Sequence, residues 1–157
     1  MSRLQPLIDD YLAGPTILRK AVAGMTREQL TSRPVAGKWS TLEVVCHLAD
    51  FDPILADRMK QIVALDQPAL KGVDENRFAS ALGYQDRELE EELAIISATR
   101  AQMARILRKL PDAVLERVGI HSERGPLTLE RILTLNTKHI PHHVAFIGEK
   151  KKALGIG

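Results

Sequence analysis

Apolar residues recur at steps of three and four over most of the chain, and this spacing predicts long amphipathic helices. Strict alternation of apolar and polar residues, the pattern of a strand, is almost absent. The four predicted helices cover roughly residues 4–23, 40–65, 86–110 and 128–154. Four helices of this length, joined by connections with little structure of their own, most simply form an all-α protein, a four-helix bundle.

Signals at the helix ends support the second and fourth of these helices. Ser40 and Glu43 have the spacing of a capping box, and Thr128 is a suitable N-cap for the last helix. Three consecutive lysines, residues 150–152, fall in the last turn, where positive charge is favourable, and Gly155 ends the helix. The lysine cluster is therefore interpreted first as a helix-end feature and not as a membrane or nucleic-acid site.

The connections between these helices are predicted to be loops. Residues 26–38 and 66–83 are polar and contain proline and glycine, and we expect no regular structure in either. Residues 114–120 have some strand character and precede a turn at 122–126. This pattern predicts a short hairpin or irregular segment before the last helix.

Composition narrows the class of protein. The 157 residues suit a single domain covering positions 1–157, and the formal net charge is only +2 with the basic residues spread out, so we expect no nucleic-acid partner. No apolar run is long enough to span a bilayer, and the first residues lack the pattern of a signal peptide. A single cysteine, Cys46, excludes an internal disulfide and fits a reducing compartment, so we expect a cytoplasmic location.

Candidate chemistry lies in the histidines of the fourth helix. His139 and His143 are four residues apart, so on a helix they project side by side and can bind one metal ion. On spacing alone, a pair of His139 and His142, three residues apart, is also geometrically possible. The apolar stripe of this helix favours His143, because Asn136, His139 and His143 continue that stripe at steps of three and four.

A third histidine comes from the second helix. His47 lies between Val44 and Phe51 on an apolar stripe and should also point inward. A single inward histidine is more often a hydrogen-bonded core residue than a ligand. Three buried imidazoles without partners, however, cost about 1–3 kcal/mol each, a cost that a shared metal ion removes. The spacing therefore leaves a metal site and a metal-free core about equally supported.

Two short segments carry a resemblance to a known family. Gly37-Lys38-Trp39-Ser40, followed by Glu43 and His47-Leu48-Ala49-Asp50, resembles the start of the second helix of the DinB/YfiT-like superfamily. The chain end, with His139-x-x-x-His143 and then Lys150 to Gly155, resembles the last helix of that family. The resemblance covers nearly the whole chain in four-helix order.

The resemblance implies a bundle, often a homodimer, that holds a divalent metal ion such as zinc or nickel. Matched residue by residue, the ligands are His47, His139 and His143, whereas His142 matches no ligand and Pro141 between the ligands is unusual. Characterised relatives include S-transferases and isomerases that use low-molecular-weight thiols, and metal-dependent hydrolases. We therefore expect an ion that activates either a thiol or a water for reaction with a small-molecule substrate. The alternatives are a non-catalytic, stress-linked metal-binding or ligand-binding bundle, and a metal-free helical scaffold.

Supporting catalytic residues are less well specified. Asp50 lies one turn after His47 and is a candidate for orienting its imidazole, with a solvated carboxylate as the alternative. Asn136 is a candidate for contact with water at the ion, or for a core hydrogen bond. Arg100 interrupts the apolar seam of the third helix and is a candidate for binding an anionic substrate group, with a buried ion pair as the alternative. We expect His121, in the irregular segment, at the surface.

Overall fold

The computed structural model describes all 157 residues and contains six helices and a small sheet. The helices are α1 (Leu4–Val22), α2 (Arg27–Thr31), α3 (Thr41–Ala64), α4 (Glu75–Ala81), α5 (Leu89–Leu107) and α6 (Leu129–Ala153). The four long ones, α1, α3, α5 and α6, form the predicted four-helix bundle, which is confirmed. Both α1 and α3 pack against α5 and α6, so α1 and α3 occupy diagonal positions. No helix combines the length and the hydropathy that crossing a membrane requires.

The predicted helix ends are present. At the start of α3, the Ser40 hydroxyl accepts a hydrogen bond from the Glu43 amide at 3.1 Å, and the Glu43 carboxylate accepts one from the Ser40 amide at 2.7 Å. Thr128 caps α6 by accepting from the amide of Arg131 at 3.1 Å. Gly155, with a φ of +70°, follows the end of α6. These caps fix where the two helices that carry the histidines begin.

Two connections that we predicted to be loops contain regular structure. The segment 26–38 includes α2, which Thr26 caps, and the segment 66–83 includes a two-residue strand, β1 (Ala69–Leu70), and α4. Asp74 starts α4 by accepting from the amides of Asn76 and Arg77 at 3.0 and 3.2 Å. The loop prediction was wrong here because these helices are too short for apolar periodicity to reveal them, so that the capping residues carry the signal.

The predicted hairpin before α6 is present and belongs to a three-stranded sheet. Strands β2 (Val118–His121) and β3 (Gly125–Thr128) pair antiparallel, and β1 pairs with β2 in parallel, with Leu70 opposite His121. Gly125 has a φ of +70° at the start of β3, a conformation that favours glycine. The sheet lies beside α3 and holds His121 close to the segment that leads into α4.

The interior of the bundle consists of two apolar clusters with polar residues between them. The first cluster includes Tyr11, Met59, Met103 and Leu133, and the second includes Leu18, Leu48, Ile96 and Ile140. Between these positions the long helices contribute Asp52, Arg100 and Asn136, which are fully buried and which we call the polar layer. The polar layer connects α3, α5 and α6 at the level where the two apolar clusters meet.

Candidate metal centre

Three imidazoles converge in the groove between α3 and α6. His47 comes from the second turn of α3, and His139 and His143 come from successive turns of α6, where their spacing places them on one face. Each offers a ring nitrogen, and these nitrogens all lie within 4.8 Å of one another. The Nε2 atoms of His47 and His139 are 3.0 Å apart. We call these three residues the histidine cluster.

Burial keeps the histidine cluster uncharged at neutral pH. Burial lowers the pKa of His47 to about 4 from an ordinary value of 6.5, although the negative charge of Asp50 opposes the shift. Burial and, to a smaller extent, the positive charge of neighbouring histidines lower the pKa values of His139 and His143 to about 3. Each ring therefore retains a nitrogen lone pair, which is the form that binds a metal ion.

The donor set fits a divalent ion. Two ligands of a tetrahedral zinc ion, with bonds of about 2.0–2.1 Å, stand about 3.3 Å apart, close to the 3.0 Å between the Nε2 atoms of His47 and His139. Without an ion only one of these two nitrogens can donate to the other. The Nδ1 atoms of both rings are buried and have no hydrogen-bond partner in the chain. A shared cation would use the lone pairs of both converging Nε2 atoms, with the ring proton of each histidine on Nδ1, so the convergence is better explained by an ion than by a satisfied core.

Aromatic rings form the wall around His47. Trp39 lies with its ring centre 5.3 Å from the imidazole and Phe51 lies 4.7 Å from it. Phe78 of α4 packs on Phe51 at 5.5 Å. These contacts fix the orientation of the His47 ring through packing, in the absence of a hydrogen bond to its Nδ1.

The Asp50 carboxylate forms hydrogen bonds with Arg87 and not with His47. It accepts two hydrogen bonds from the guanidinium of Arg87, at 2.8 and 2.9 Å, and Arg87 also pairs with the buried Glu92. We expected Asp50 either to orient the imidazole of His47 or to be a solvated carboxylate. The structure shows neither arrangement, because the carboxylate belongs to a partly buried ion pair. Arg87 precedes α5, so the ion pair ties the start of that helix to α3.

Arg100 and Asn136 lie in the polar layer and contact each other. The Arg100 guanidinium pairs with Asp52 at 2.9 Å and also donates to the backbone oxygens of Tyr11 and Asn136. Both members of the ion pair have no exposed side-chain surface. The structure therefore contains the buried ion pair that was the alternative to an anion-binding Arg100. Asn136 accepts from Arg100 through its side-chain oxygen at 3.3 Å.

Two cavities border the histidine cluster. The larger, of about 400 Å³, has His47 and His139 in its wall and is closed on the other side by the hairpin. The smaller, of about 290 Å³, reaches His143 from the side of Trp39 and the start of α3. Glu75 lines both cavities, and its carboxylate lies 3.8 Å from Nε2 of His47. The centre is thus accessible to small molecules and has a carboxylate beside it.

The two remaining histidines are placed differently from each other. His142 is exposed on α6 and lies outside the cluster. His121 is only 7% exposed and lines the larger cavity, so the expectation that it lies at the surface was wrong. His121 lies on β2, which is the central strand of the sheet between β1 and β3.

Sequence reasoning missed Glu75 as a functional candidate. The overall polarity of residues 66–83 predicts a loop, although Asp74 is a good N-cap and Phe78 supplies an apolar anchor one turn later. Those two residues are the signal that predicts a helix beginning at Glu75. No local pattern, however, indicates that this helix packs across the histidine groove.

Comparison with known proteins agrees with the fold and the site. The family model described as the DinB superfamily matches residues 11–147. The chain belongs to the DinB superfamily. The match includes α1 from residue 11 onward, all three residues of the histidine cluster and most of α6, so the resemblance seen in the sequence is confirmed.

Individual relatives of this DinB protein come from bacilli and related bacteria. The protein named "Putative metal-dependent hydrolase YfiT" of Bacillus subtilis (strain 168) is 30% identical over 142 residues, 90% of this chain and 80% of the relative. A similarly named protein of Oceanobacillus iheyensis is 29% identical over 133 residues, 85% of this chain and 77% of its own. The solved structure of Bacillus subtilis YfiT, described as a probable metal-dependent hydrolase with an unusual four-helix bundle topology, superimposes with a TM-score of 0.92 at 28% identity and covers 100% of this chain and 91% of its own.

Proposed function

We propose that the protein is a metal-dependent hydrolase of a small-molecule substrate, with one divalent ion, zinc or nickel, held by His47, His139 and His143. The observation that carries the proposal is the convergence of three neutral imidazoles at the edge of an open cavity. The hydrolase designation of the similar bacterial proteins supports the reaction class. A site with three protein ligands leaves a position open, which is typical of catalytic rather than structural zinc.

A divalent ion in this position supplies Lewis-acid chemistry, because it polarises a carbonyl or phosphoryl oxygen and lowers the pKa of water. Glu75 supplies the base. Its carboxylate, 3.8 Å from Nε2 of His47 and open to both cavities, takes a proton from the attacking water while the water oxygen bonds to the electrophilic carbon or phosphorus. The same carboxyl then returns that proton to the leaving group as its bond breaks.

The remaining candidate residues position the centre. In this proposal, Arg100 and Asn136 hold α5 and α6 in register through the polar layer, and Asp50 fixes the start of α5 through Arg87. None of the three contacts the substrate. The proposal thus assigns the chemistry to the histidine cluster and Glu75.

Metal content is the first test. Protein purified without chelator is expected to carry about one divalent ion per chain by elemental analysis, and zinc or nickel titration should saturate at the same ratio. The variant His47→Ala/His143→Ala should lose the ion, whereas His142→Ala, which alters an exposed histidine of the same helix, should keep it. Full metal content in the double variant contradicts the proposed site.

Activity is the second test. Metal-loaded protein should hydrolyse members of a panel of small esters, amides and phosphoesters. Glu75→Gln should lower kcat by a factor of roughly 10²–10⁴ with one ion per chain retained, because loss of a general base has effects of this size. Glu91→Gln, the same change at an exposed position of α5, is the control and should leave kcat unchanged. Equal rates in the two variants exclude Glu75 as the base.

Transfer to a low-molecular-weight thiol is the second candidate function, and the presence of two cavities at one centre favours it. In that reaction the thiol sulfur bonds to an electrophilic carbon, the thiol proton passes to Glu75, and the leaving group departs with the electron pair of the broken bond. Incubation with a thiol and an alkyl halide, followed by mass spectrometry, distinguishes a thioether product from an alcohol. A metal-loaded protein that forms neither product in any assay supports the non-catalytic alternative.

A further inference from the structure

The larger cavity has a second polar region on the side of the hairpin. Arg58 of α3, His121 of β2 and Arg124 of the hairpin turn all line it, together with Glu123. The proposed chemistry uses none of these residues. We call Arg58, His121 and Arg124 the cationic end of the cavity.

Backbone contacts fix the tautomer of His121. Its Nδ1 accepts from the amides of Glu123 and Arg124 at 3.1 and 3.3 Å, so this nitrogen carries the lone pair. Burial and the charges of the two arginines lower the pKa of His121, which keeps the ring neutral. The single ring proton therefore resides on Nε2, which has no hydrogen-bond partner in the chain. A buried ring in the cavity wall thus presents one oriented donor.

The two arginines retain free donors. Arg58 donates through Nη2 to the backbone oxygen of Lys71 at 2.6 Å, and the side chain of Arg124 makes no hydrogen bond within the chain. Neither guanidinium forms an ion pair with a carboxylate, although Glu123 and Glu75 line the same cavity. Burial and the positive charge of Arg124 lower the pKa of Arg58. Like charges held together without a direct counter-ion are typical of a site that receives an anion.

Apart from the cationic end, the histidines and the acidic residues, the cavity wall is mainly apolar. Its apolar residues are Phe51, Leu55, Val73, Leu127, Ile132 and Leu135. A volume of about 400 Å³ falls in the range of small-molecule sites. The cavity therefore matches an amphipathic molecule with an anionic group at one end, an apolar body, and its reactive bond at the other end.

We propose that Arg58, Arg124 and the Nε2 proton of His121 bind the carboxylate or phosphate group of the substrate, which places the apolar body across the cavity and the reactive bond beside the histidine cluster. The assignment of the reactive end rests on the proposed function; the anion site itself does not. Guanidinium groups and an imidazole N–H are the donors that proteins use for such oxyanions.

Binding of simple anions tests the site directly. Inorganic phosphate and acetate are titrated into the protein at constant ionic strength, and the backbone amide signals of Glu123 and Arg124 are followed by NMR, both in zinc-loaded and in chelator-treated protein. We expect saturable shifts in both forms, because the donors belong to the chain and not to the ion. The anion that binds more tightly identifies the headgroup as phosphate or carboxylate.

Variants distinguish specific anion binding at the cationic end from general electrostatic attraction to the protein. Arg124→Gln should weaken binding about tenfold, a change typical of one lost charge-assisted contact. His121→Asn keeps an acceptor near the position of Nδ1 and removes the Nε2 donor, so it should also weaken binding while the amide signals of the turn remain dispersed. Arg105→Gln, at an exposed position of α5 outside the cavity, is the charge-matched control and should bind as the parent does.

These experiments can contradict the anion-site proposal without contradicting the hydrolase proposal, and the reverse. Signal shifts that appear only in zinc-loaded protein would mean that the anion binds to the ion, which contradicts the cationic end. Equal losses of anion affinity in Arg124→Gln and Arg105→Gln contradict it as well. So does the absence of any shift in either form. Anion binding that persists in a protein without hydrolytic activity leaves the cationic end intact and rejects the hydrolase.

Discussion

The polar layer and the histidine cluster are two buried polar groups in one bundle, and they differ in how their hydrogen bonds are satisfied. In the polar layer Arg100 forms an ion pair with Asp52. Its guanidinium also donates hydrogen bonds to backbone and side-chain oxygens of neighbouring helices. In the histidine cluster two Nδ1 atoms have no partner, and two Nε2 atoms face each other at 3.0 Å. The polar layer is fully buried, and its Arg100–Asp52 ion pair is satisfied within the chain, with only Nδ2 of Asn136 lacking a partner. In the histidine cluster His47 is buried, His139 and His143 are half-buried, and the converging nitrogens have no partner outside the cluster.

This difference separates structural from functional polar groups. An ion pair whose members satisfy each other stabilises a particular packing of helices, and it has little capacity left for a ligand. Nitrogens that converge without partners reduce the stability of the metal-free protein and leave lone pairs available for an ion. The comparison therefore makes opposite predictions for substitutions in the two groups.

Removal of one partner from the polar layer should have the largest effect. Asp52→Ala leaves the Arg100 charge buried and unpaired, and we expect the free energy of unfolding to fall by about 3–5 kcal/mol in urea titrations. The double variant Asp52→Leu/Arg100→Met replaces both charges by apolar groups of similar volume and should recover most of that loss. A loss of only about 0–1 kcal/mol in the single variant, the size expected for a solvent-exposed ion pair, contradicts a structural role for the layer.

Acid should destabilise the metal-free protein through the histidine cluster. The cluster histidines have folded-state pKa values of about 3–4, below the ordinary value of 6.5, so between these limits the unfolded chain binds more protons than the folded one. Their contribution is complete above pH 6.5 and is lost as the pH falls, by up to about 1.4 kcal/mol per pH unit for each histidine.

Urea titrations between pH 7.5 and 5 in the presence of chelator measure this loss. The parent is compared with His142→Ala, which removes an exposed histidine and should retain the same slope. A stability that does not change over this range is incompatible with the lowered pKa values of the three cluster histidines.

Gly14 tests how tightly the polar layer is packed. A Cβ atom at this position would overlap with Nη1 of Arg100 and would lie 2.9 Å from Cδ1 of Ile140. Gly14→Ala gains helix propensity of about 1 kcal/mol but overpacks the layer, so we expect a net loss of about 1–2 kcal/mol in thermal or urea unfolding. Gly148→Ala, in a position of α6 with open space around it, is the control and should stabilise the protein slightly.

The fold was largely predictable from the sequence, because apolar periodicity and capping residues identify long helices. The four long helices, the Ser40 and Thr128 caps and the hairpin follow from local patterns that the chain carries whatever it packs against. The short helix α4 and strand β1 did not follow, since their stability comes from packing against the bundle and from pairing with β2.

The candidate site also combines features that follow from the local sequence with features that depend on tertiary contacts. The inward direction of His47, His139 and His143 follows from helical spacing, and the structure brings these residues together. The partner of a charged side chain does not follow from spacing: Asp50 pairs with Arg87, which lies 37 positions later, and Glu75 approaches His47 from a separate helix. Contacts of this kind depend on tertiary packing, so they become visible only in the folded structure.

Replacement of a cluster histidine should have the smallest effect on stability, and its sign should be opposite to that in the polar layer. His139→Leu removes a ring whose buried Nδ1 has no partner, so in chelator-treated protein we expect the free energy of unfolding to rise by about 1 kcal/mol. The same variant should fail to bind zinc in a calorimetric titration. Arg100→Leu, which removes a polar group that is satisfied, should destabilise the protein under the same conditions. If both variants destabilise to the same degree, the histidines are ordinary core residues, and the difference between satisfied and unsatisfied polar groups does not identify the functional site.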